Sequence, residues 1–164
     1  MKSTQITRPT GPDKVRRRLT GGILIGAVAA ALRLEAADRM PIEVWTGPGC
    51  SCCRDWIKHL QAHRFEPTIH DGGNVDARRR LGIPVQYGSC HTGQVAGYAI
   101  EGHVPAREIL RLLAESVDAV GLSVPAMPRG APGMDGPAYG GARDPYDVFL
   151  IRRDGTAIVY QSYR

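Results

Sequence analysis

The chain has 164 residues, of which 43% are hydrophobic, and its formal net charge is +5. This length suits one domain with short appendages, and the apolar content is enough to bury a core. Residues 1–36 hold seven of the 21 Lys and Arg but only two of the 16 Asp and Glu, so the remainder carries 14 charges of each sign. A neutral remainder argues against nucleic-acid binding, which needs a basic surface to neutralise phosphates.

The N-terminal segment has the pattern of an export signal. A basic stretch, Lys14–Arg18, precedes a weakly apolar stretch rich in Gly and Ala, 19–32. The pattern predicts that residues 1–36 are a signal peptide, whose arginines favour the twin-arginine type, and that residues 37–164 form a periplasmic domain without a stable membrane span. The apolar stretch is shorter than the roughly 20 residues of a membrane-spanning helix, which disfavours an uncleaved anchor.

Strands and helices alternate in the pattern of residues 41–116. A β-rich run, 42–46, ends at a Gly-Pro-Gly turn, and a helix with Trp56 and Leu60 on one apolar face follows. The order β-α-β-α-β-β-α predicts an α/β fold with a thioredoxin-like core, whose first two strands are parallel because a helix joins them. The later predicted elements are a strand over 67–71, a short helix over 75–81, two strands that flank Gly97, and a helix from Pro105 to about Glu115.

The rest of the chain divides into a loop and a hairpin. Residues 117–145 hold five prolines and many glycines, so both helix and strand are disfavoured and a loop is predicted. Residues 146–164 contain two β-prone runs on either side of Asp154-Gly155, which is the pattern of a C-terminal β-hairpin.

Three thiols lie where the first strand meets the first helix. Cys50 and Cys53 have the C-x-x-C spacing, which suits a redox dithiol or a thiolate metal site, and Cys52 is one thiol more than a dithiol enzyme needs. At a helix N-terminus we expect Cys50 to be a thiolate, either a nucleophile that Cys53 resolves or a metal ligand. A structural disulfide is the alternative in an oxidising compartment.

A second group, Cys90-His91, comes just before the third predicted strand. In the predicted topology this pair approaches Cys50, and the thiols nearby favour a role for His91 as a metal ligand. Pro84 offers a competing alignment of the loop, as a cis-proline. His103, at the end of the next strand, is a weaker candidate that also suits a proton donor or a helix-entry residue.

Met127 and Met134 lie in the predicted loop, where no amphipathic period buries them. Soft thioethers beside soft thiolates select Cu(I), so both are candidate ligands, with an incidental place in a linker as the alternative. His59 and His63 are four residues apart on the first helix, and a solvated surface is favoured there over a metal pair.

Several separated motifs together resemble the CopG-type bacterial copper-resistance proteins. They are C-S-C-C at 50–53, S-C-H-T at 89–92, E-G-H-V-P at 101–105 and the M-P and P-G-M motifs of the loop. The resemblance covers residues 41 to about 160 and departs from the usual family pattern at Ser51, where glycine is usual. It implies a periplasmic, thioredoxin-like, copper-binding protein that is a candidate oxidoreductase between Cu(I) and Cu(II). The ligands that it implies are Cys50, Cys52, Cys53, Cys90 and His91, followed by His103, Met127 and Met134.

Three functions remain open from the sequence. The first is Cu(I) binding in copper resistance, with a thiolate-bridged cluster of more than one ion and with other periplasmic copper-resistance proteins as partners. The second is a thiol-disulfide oxidoreductase in which Cys50 and Cys53 are catalytic. The third is a structural zinc site, which the softness and adjacency of the ligands disfavour.

Overall fold

The computed structural model describes residues 39–164, so the predicted signal peptide lies outside the described residues. No helix in this part of the chain is long and apolar enough to cross a membrane. The α-helices are α1 (Ser51–Ala62), α2 (Val75–Arg80) and α3 (Ala106–Glu115). The strands are β1 (Met40–Thr46), β2 (Phe65–His70), β3 (His91–Val95), β4 (Tyr98–Gly102), β5 (Gly121–Val124), β6 (Tyr146–Ile151) and β7 (Ala157–Tyr163). Short 3-10 turns occupy Val85–Tyr87 and Pro137–Tyr139.

The strands form one mixed sheet of order β2-β1-β3-β4-β5-β6-β7. β1 and β2 are parallel, as predicted from the helix between them, whereas β3 is antiparallel to both β1 and β4. The β3–β4 turn, Ala96-Gly97, has both residues at positive φ, which matches the twist of the strands in a two-residue hairpin. The predicted order of elements from β1 to α3 is observed, and the fold is a mixed α/β fold. No peptide bond within residues 39–164 is cis, so Pro84 is not a cis-proline.

The prediction of a loop over residues 117–145 is wrong at β5. All four residues of β5, Gly121–Val124, are buried, and the strand pairs in parallel with β4 and antiparallel with β6. The prolines begin only at Pro125, so the composition of the whole segment obscured a short strand at its start. Because β5 connects β4 to β6, the predicted C-terminal hairpin of β6 and β7 continues the central sheet.

Helix α1 is anchored by the apolar face that its sequence predicts. Trp56, Ile57 and Leu60 are at most 5% exposed and pack in the main core with residues of β1 and α3. Each fully buried side chain of this size contributes about 1.5–3 kcal/mol relative to exposure. The indole N–H of Trp56 also donates to the backbone carbonyl of Val104, at 2.9 Å. These contacts fix α1, whose first turn carries Cys52 and Cys53, against the main core.

Candidate metal centre

The first turn of α1 carries three of the cysteines. Cys50 is the N-cap residue and is partly exposed, whereas Cys52 and Cys53 are 9% and 0% exposed. Cys50 and Cys53 form a disulfide bond, with an S–S distance of 1.99 Å, and Cys52 has a free thiol. The prediction that Cys50 is a thiolate applies to the reduced chain only, and it stays a prediction.

The fourth cysteine, Cys90, lies directly before β3 and faces this turn. Its sulfur is 3.6 Å from the Cys53 sulfur and 3.9 Å from the Cys52 sulfur, and the Cys50 and Cys52 sulfurs are 3.5 Å apart. The four sulfurs all lie within 4.8 Å of one another, although 37 residues separate Cys53 from Cys90 along the chain. Sulfurs at these separations fit the first coordination shell of one or more soft metal ions.

The segment around Cys90 is fixed by a buried carboxylate on β4. Glu101 is fully buried and accepts hydrogen bonds from the Thr92 hydroxyl at 2.5 Å, the Ser89 N–H at 2.7 Å and the Arg78 guanidinium at 2.8 Å. Burial raises the pKa of Glu101, and these donors oppose the rise. Ser89 and Thr92 flank the Cys90-His91 pair, so this network determines where the Cys90 sulfur lies.

Two buried histidines complete the surroundings of Cys90. The Cys90 sulfur is 3.3 Å from Nδ1 of His91 and 3.3 Å from Nε2 of His103. Nδ1 of His103 lies 2.9 Å from the Pro132 carbonyl and donates to it, which leaves the Nε2 lone pair facing the sulfur. Burial lowers the pKa of both histidines, so both are neutral at pH 7 and able to bind a metal.

Burial also changes the state of Cys90 itself. Burial, together with the neighbouring Cys52, raises the pKa of the Cys90 thiol to about 12. In the metal-free chain this sulfur is therefore protonated at neutral pH. A thiophilic metal ion displaces such a proton when it binds, because the thiolate is the ligand.

The two methionines of the predicted site lie in different environments. Met134 is 7% exposed and packs against Cys52 and Cys53. Met127 is 50% exposed and lines a separate groove of about 500 Å³ on the loop surface. The structure therefore brings Met134 to the cysteines and does not bring Met127 there.

A glycine explains how Met134 reaches the cysteines. Gly133 has φ +83°, and a Cβ atom there would lie 2.6 Å from the Trp56 backbone nitrogen and 2.7 Å from the Cys52 carbonyl oxygen. Only glycine lets the loop approach the first turn of α1 this closely in a left-handed conformation. The next residue, Met134, is thereby placed against the cluster.

Several residues of this site are not among those predicted from the sequence. Tyr139 and Tyr146 pack against the cysteine group, and Arg78 and Glu101 form the ion pair behind Cys90. One of these residues had a signal in the sequence: Glu101 is a carboxylate next to Ile100 in a strand that is otherwise apolar on both faces. Tyr139 lies within the Pro- and Gly-rich segment and Tyr146 directly follows it, and no sequence pattern placed either residue at the site.

The histidine pair on α1 has another role. Nε2 of His59 accepts a hydrogen bond from the backbone N–H of Ala106, the first residue of α3, at 3.0 Å. His63 Nδ1 lies 2.8 Å from the His59 carbonyl. Burial lowers the pKa of His59, the nearby His63 lowers it further, and Asp135 acts in the opposite direction. His59 thus accepts a hydrogen bond from an N–H at the start of α3 that has no partner within the helix. The prediction that the His59 side chain lies on a solvated surface did not include this contact.

Comparisons with known proteins agree with this site. Residues 87–134 match a family described as "Protein of unknown function, DUF411". Two solved structures, named "Copper resistance protein copG- Form 1" and "Copper resistance protein copG- Form 2", are each 45% identical to this chain, with a TM-score of 0.70. The matches cover 76% and 77% of this chain and 98% and 99% of those chains. This chain belongs to the CopG copper-resistance protein family.

The resemblance drawn from the sequence motifs is thereby confirmed. Among curated proteins the chain has no significant match. In this CopG family member, the matched residues 87–134 include Cys90, His91, His103 and Met134. The disulfide-forming pair of α1 lies outside that range.

Proposed function

We propose that this chain is an exported copper-resistance protein that binds Cu(I) through the sulfurs of Cys50, Cys52, Cys53 and Cys90. The observation that carries this proposal is the convergence of four sulfurs within 4.8 Å of one another. Thiolates select Cu(I) over harder ions, and one thiolate can bridge two metal ions, so more than one Cu(I) is bound. The printed names of the related structures support copper as the metal.

Copper binding by all four sulfurs requires reduction of the Cys50–Cys53 disulfide. A dithiol reductant supplies two electrons and two protons, which give two thiols and leave the reductant as a disulfide. Each thiol that then binds Cu(I) releases its proton. The parallel β1–β2 pair, with α1 between its strands and the dithiol at the start of α1, supports a thioredoxin-like core for this chemistry.

The same proposal implies that Cu(I) is transferred between this protein and partner proteins. The exported domain receives Cu(I) in the periplasm from other copper-resistance proteins or passes Cu(I) to them. A change between Cu(I) and Cu(II) at this centre would make the protein a copper oxidoreductase. His91, His103 and Met134 supply the further soft and borderline ligands next to the sulfurs.

The disulfide favours a second candidate, a thiol-disulfide oxidoreductase acting on proteins. Cys50 is partly exposed at the helix start and Cys53 is fully buried, the arrangement of an attacking thiol and its resolving partner. In this function Cys52 and Cys90 are dispensable. Reduction of a protein disulfide by the Cys52→Ser and Cys90→Ser variants at the wild-type rate would therefore support it.

Competition for Cu(I) tests the first proposal. The reduced chain, residues 37–164, is titrated anaerobically with Cu(I) in the presence of a strong chelator. We expect more than one equivalent to be withdrawn from the chelator, and Cys52→Ser to lower both the number and the affinity. His63→Gln, at the exposed end of α1, is the control that should match the wild type. Failure of the wild type to withdraw even one equivalent would refute the proposal, and retention of Zn²⁺ instead would indicate a zinc protein.

A further inference from the structure

Two stacked tyrosines lead from the cysteine group toward the C-terminal end of the chain. Tyr146, the first residue of β6, packs against the apolar cluster that includes Cys52, Cys53 and Met134. Its partner across the β6–β7 ladder is Tyr163, the last residue of β7. The two rings have a centroid distance of 4.5 Å and an angle of 4° between their planes, so they are in direct contact. Tyr146 therefore contacts both the cysteine group and a second phenol.

The hydroxyl of Tyr163 has a proton acceptor. It donates a hydrogen bond to the Glu108 carboxylate at 2.9 Å, and that carboxylate belongs to a side chain that is only 5% exposed. Arg107 donates to the same hydroxyl at 2.9 Å, and its guanidinium lies 5.0 Å from the centre of the Tyr163 ring. Burial and the hydrogen bond to Glu108 raise the pKa of Tyr163 to about 12. The phenol is therefore protonated at neutral pH, and its oxidation releases a proton that Glu108 is placed to accept.

The sulfur side chains beside Tyr146 are sensitive to oxidation. Cysteine is converted to sulfenic and then sulfinic acid, and methionine to its sulfoxide, and the sulfinic step is in general irreversible. Burial raises the pKa of Tyr146, so this phenol also keeps its hydrogen atom at neutral pH. Tyr146 is thus a hydrogen-atom donor in contact with the side chains that an oxidant formed at the copper centre would damage.

We propose that Tyr146 and Tyr163 form a relay that carries an oxidising equivalent away from the copper centre and so protects its sulfur ligands. The proposal rests on the proposed function, because bound Cu(I) reduces hydrogen peroxide by one electron to Cu(II), hydroxide and a hydroxyl radical. Tyr146 gives the hydroxyl radical a hydrogen atom, which yields water and a phenoxyl radical. Tyr163 then passes an electron to Tyr146 and its proton to Glu108, while Tyr146 takes a proton from water. Tyr163 is partly exposed, so a soluble thiol can return the electron there, and Glu108 returns the proton.

Peroxide treatment of the Cu(I)-loaded chain, residues 37–164, tests the relay. Hydrogen peroxide is added anaerobically with a nitroso spin trap, and the trapped and oxidised residues are mapped by mass spectrometry. We expect the adduct mainly on Tyr163. Tyr146→Phe keeps the ring but should lower this adduct several-fold and raise sulfinic acid at the cysteines and sulfoxide at Met134. Tyr87→Phe, in a different apolar cluster, is the control that should match the wild type.

The metal-free chain tests the proton acceptor independently of copper. Photo-oxidation with ruthenium tris(bipyridine) and persulfate generates the oxidant in solution and not at the cysteines. The adduct should again form on Tyr163 and should fall several-fold in Glu108→Gln. Tyr146→Phe should leave it unchanged, because no oxidising equivalent then arrives through Tyr146. Equal yields for the wild type and Glu108→Gln would overturn the role of Glu108.

The outcomes separate the relay from the proposed function. A wild type that binds Cu(I) but is oxidised by peroxide only at its cysteines and methionines would refute the relay and leave the proposed function intact. The same conclusion follows if Tyr146→Phe changes neither the Tyr163 adduct nor the oxidation of the sulfurs. A wild type that withdraws no Cu(I) from the chelator would refute the proposed function and, with it, the relay.

Discussion

Replacement of Glu101 tests how the fold positions Cys90. Glu101→Leu places an apolar side chain of similar size in β4 and removes the acceptor of three hydrogen bonds. The Arg78 side chain is only 15% exposed, and loss of one partner of such a buried pair costs about 3–5 kcal/mol. Arg78 keeps its hydrogen bond to the Ser89 carbonyl, so we expect the lower half of that range.

The conservative variant separates hydrogen bonding from charge. Glu101→Gln retains one carbonyl oxygen for Arg78 and the Ser89 N–H, while its amide group replaces the oxygen that accepts from Thr92. We expect a loss of about 1–3 kcal/mol, the cost of one poorly matched buried hydrogen bond. Urea unfolding of the oxidised, metal-free chain, followed by tryptophan fluorescence, measures both losses.

Cu(I) affinity distinguishes positioning from general destabilisation. Glu101→Gln should weaken Cu(I) binding roughly 10–100-fold, as changes behind a metal ligand usually do. The matched control is Glu108→Gln on α3. Glu108 is also buried and bonded to an arginine, Arg107, but it is outside the site. Equal Cu(I) affinities for the wild type and Glu101→Gln would refute the view that this carboxylate sets the position of Cys90.

Three further variants test other parts of the site. Met134→Leu should lower Cu(I) affinity by roughly tenfold or more, because it removes the thioether next to the cysteines, while Met127→Leu, in the separate groove, should leave it unchanged in the same titration. Gly133→Ala should destabilise the chain by more than about 2 kcal/mol, because the left-handed conformation alone costs about 1–2 kcal/mol and the new methyl group meets the backbone of α1. Gly140→Ala, left-handed but in open space, should cost only the conformational part in parallel urea unfolding. The pKa of His59 is lowered in the folded chain, so its contribution to stability is complete above its ordinary value of 6.5 and is lost as the pH falls through the lowered value. His59→Gln, which accepts the same N–H without titrating, should therefore flatten the fall in unfolding free energy between about pH 8 and pH 5 relative to wild type, and an unchanged slope would contradict this.

Local sequence patterns correctly predicted the first strand, the first helix and the parallel pairing of β1 with β2. The apolar spacing in α1 and the alternation in β1 depend on neighbours a few residues apart, and both appear in the structure with the predicted faces buried. The helix between β1 and β2 was enough to require a parallel pair. The same topology brought Cys90 across from α1, so proximity of the two cysteine motifs was foreseeable.

Features that depend on distant partners were not predictable in the same way. Glu101 is interpretable only with Arg78, which is 23 residues away, and the strand β5 is stabilised by its neighbours on both sides more than by its own composition. The two loop methionines look equivalent in sequence. Their separation depends on Gly133, whose left-handed conformation and contact with α1 have no signature beyond the residue type.

The disulfide leads to a prediction about copper binding by the oxidised chain. The bond uses the sulfurs of Cys50 and Cys53 and leaves Cys52, Cys90 and both site histidines free of it. Oxidation therefore removes two of the four sulfurs of the proposed Cu(I) site but leaves the group of Cys90, His91 and His103 complete. We expect the oxidised chain to bind about one Cu(I) in competition with a chelator, and the reduced chain to bind more. Loss of all Cu(I) binding on oxidation would show that Cys90 and the two histidines do not hold copper without the other thiolates.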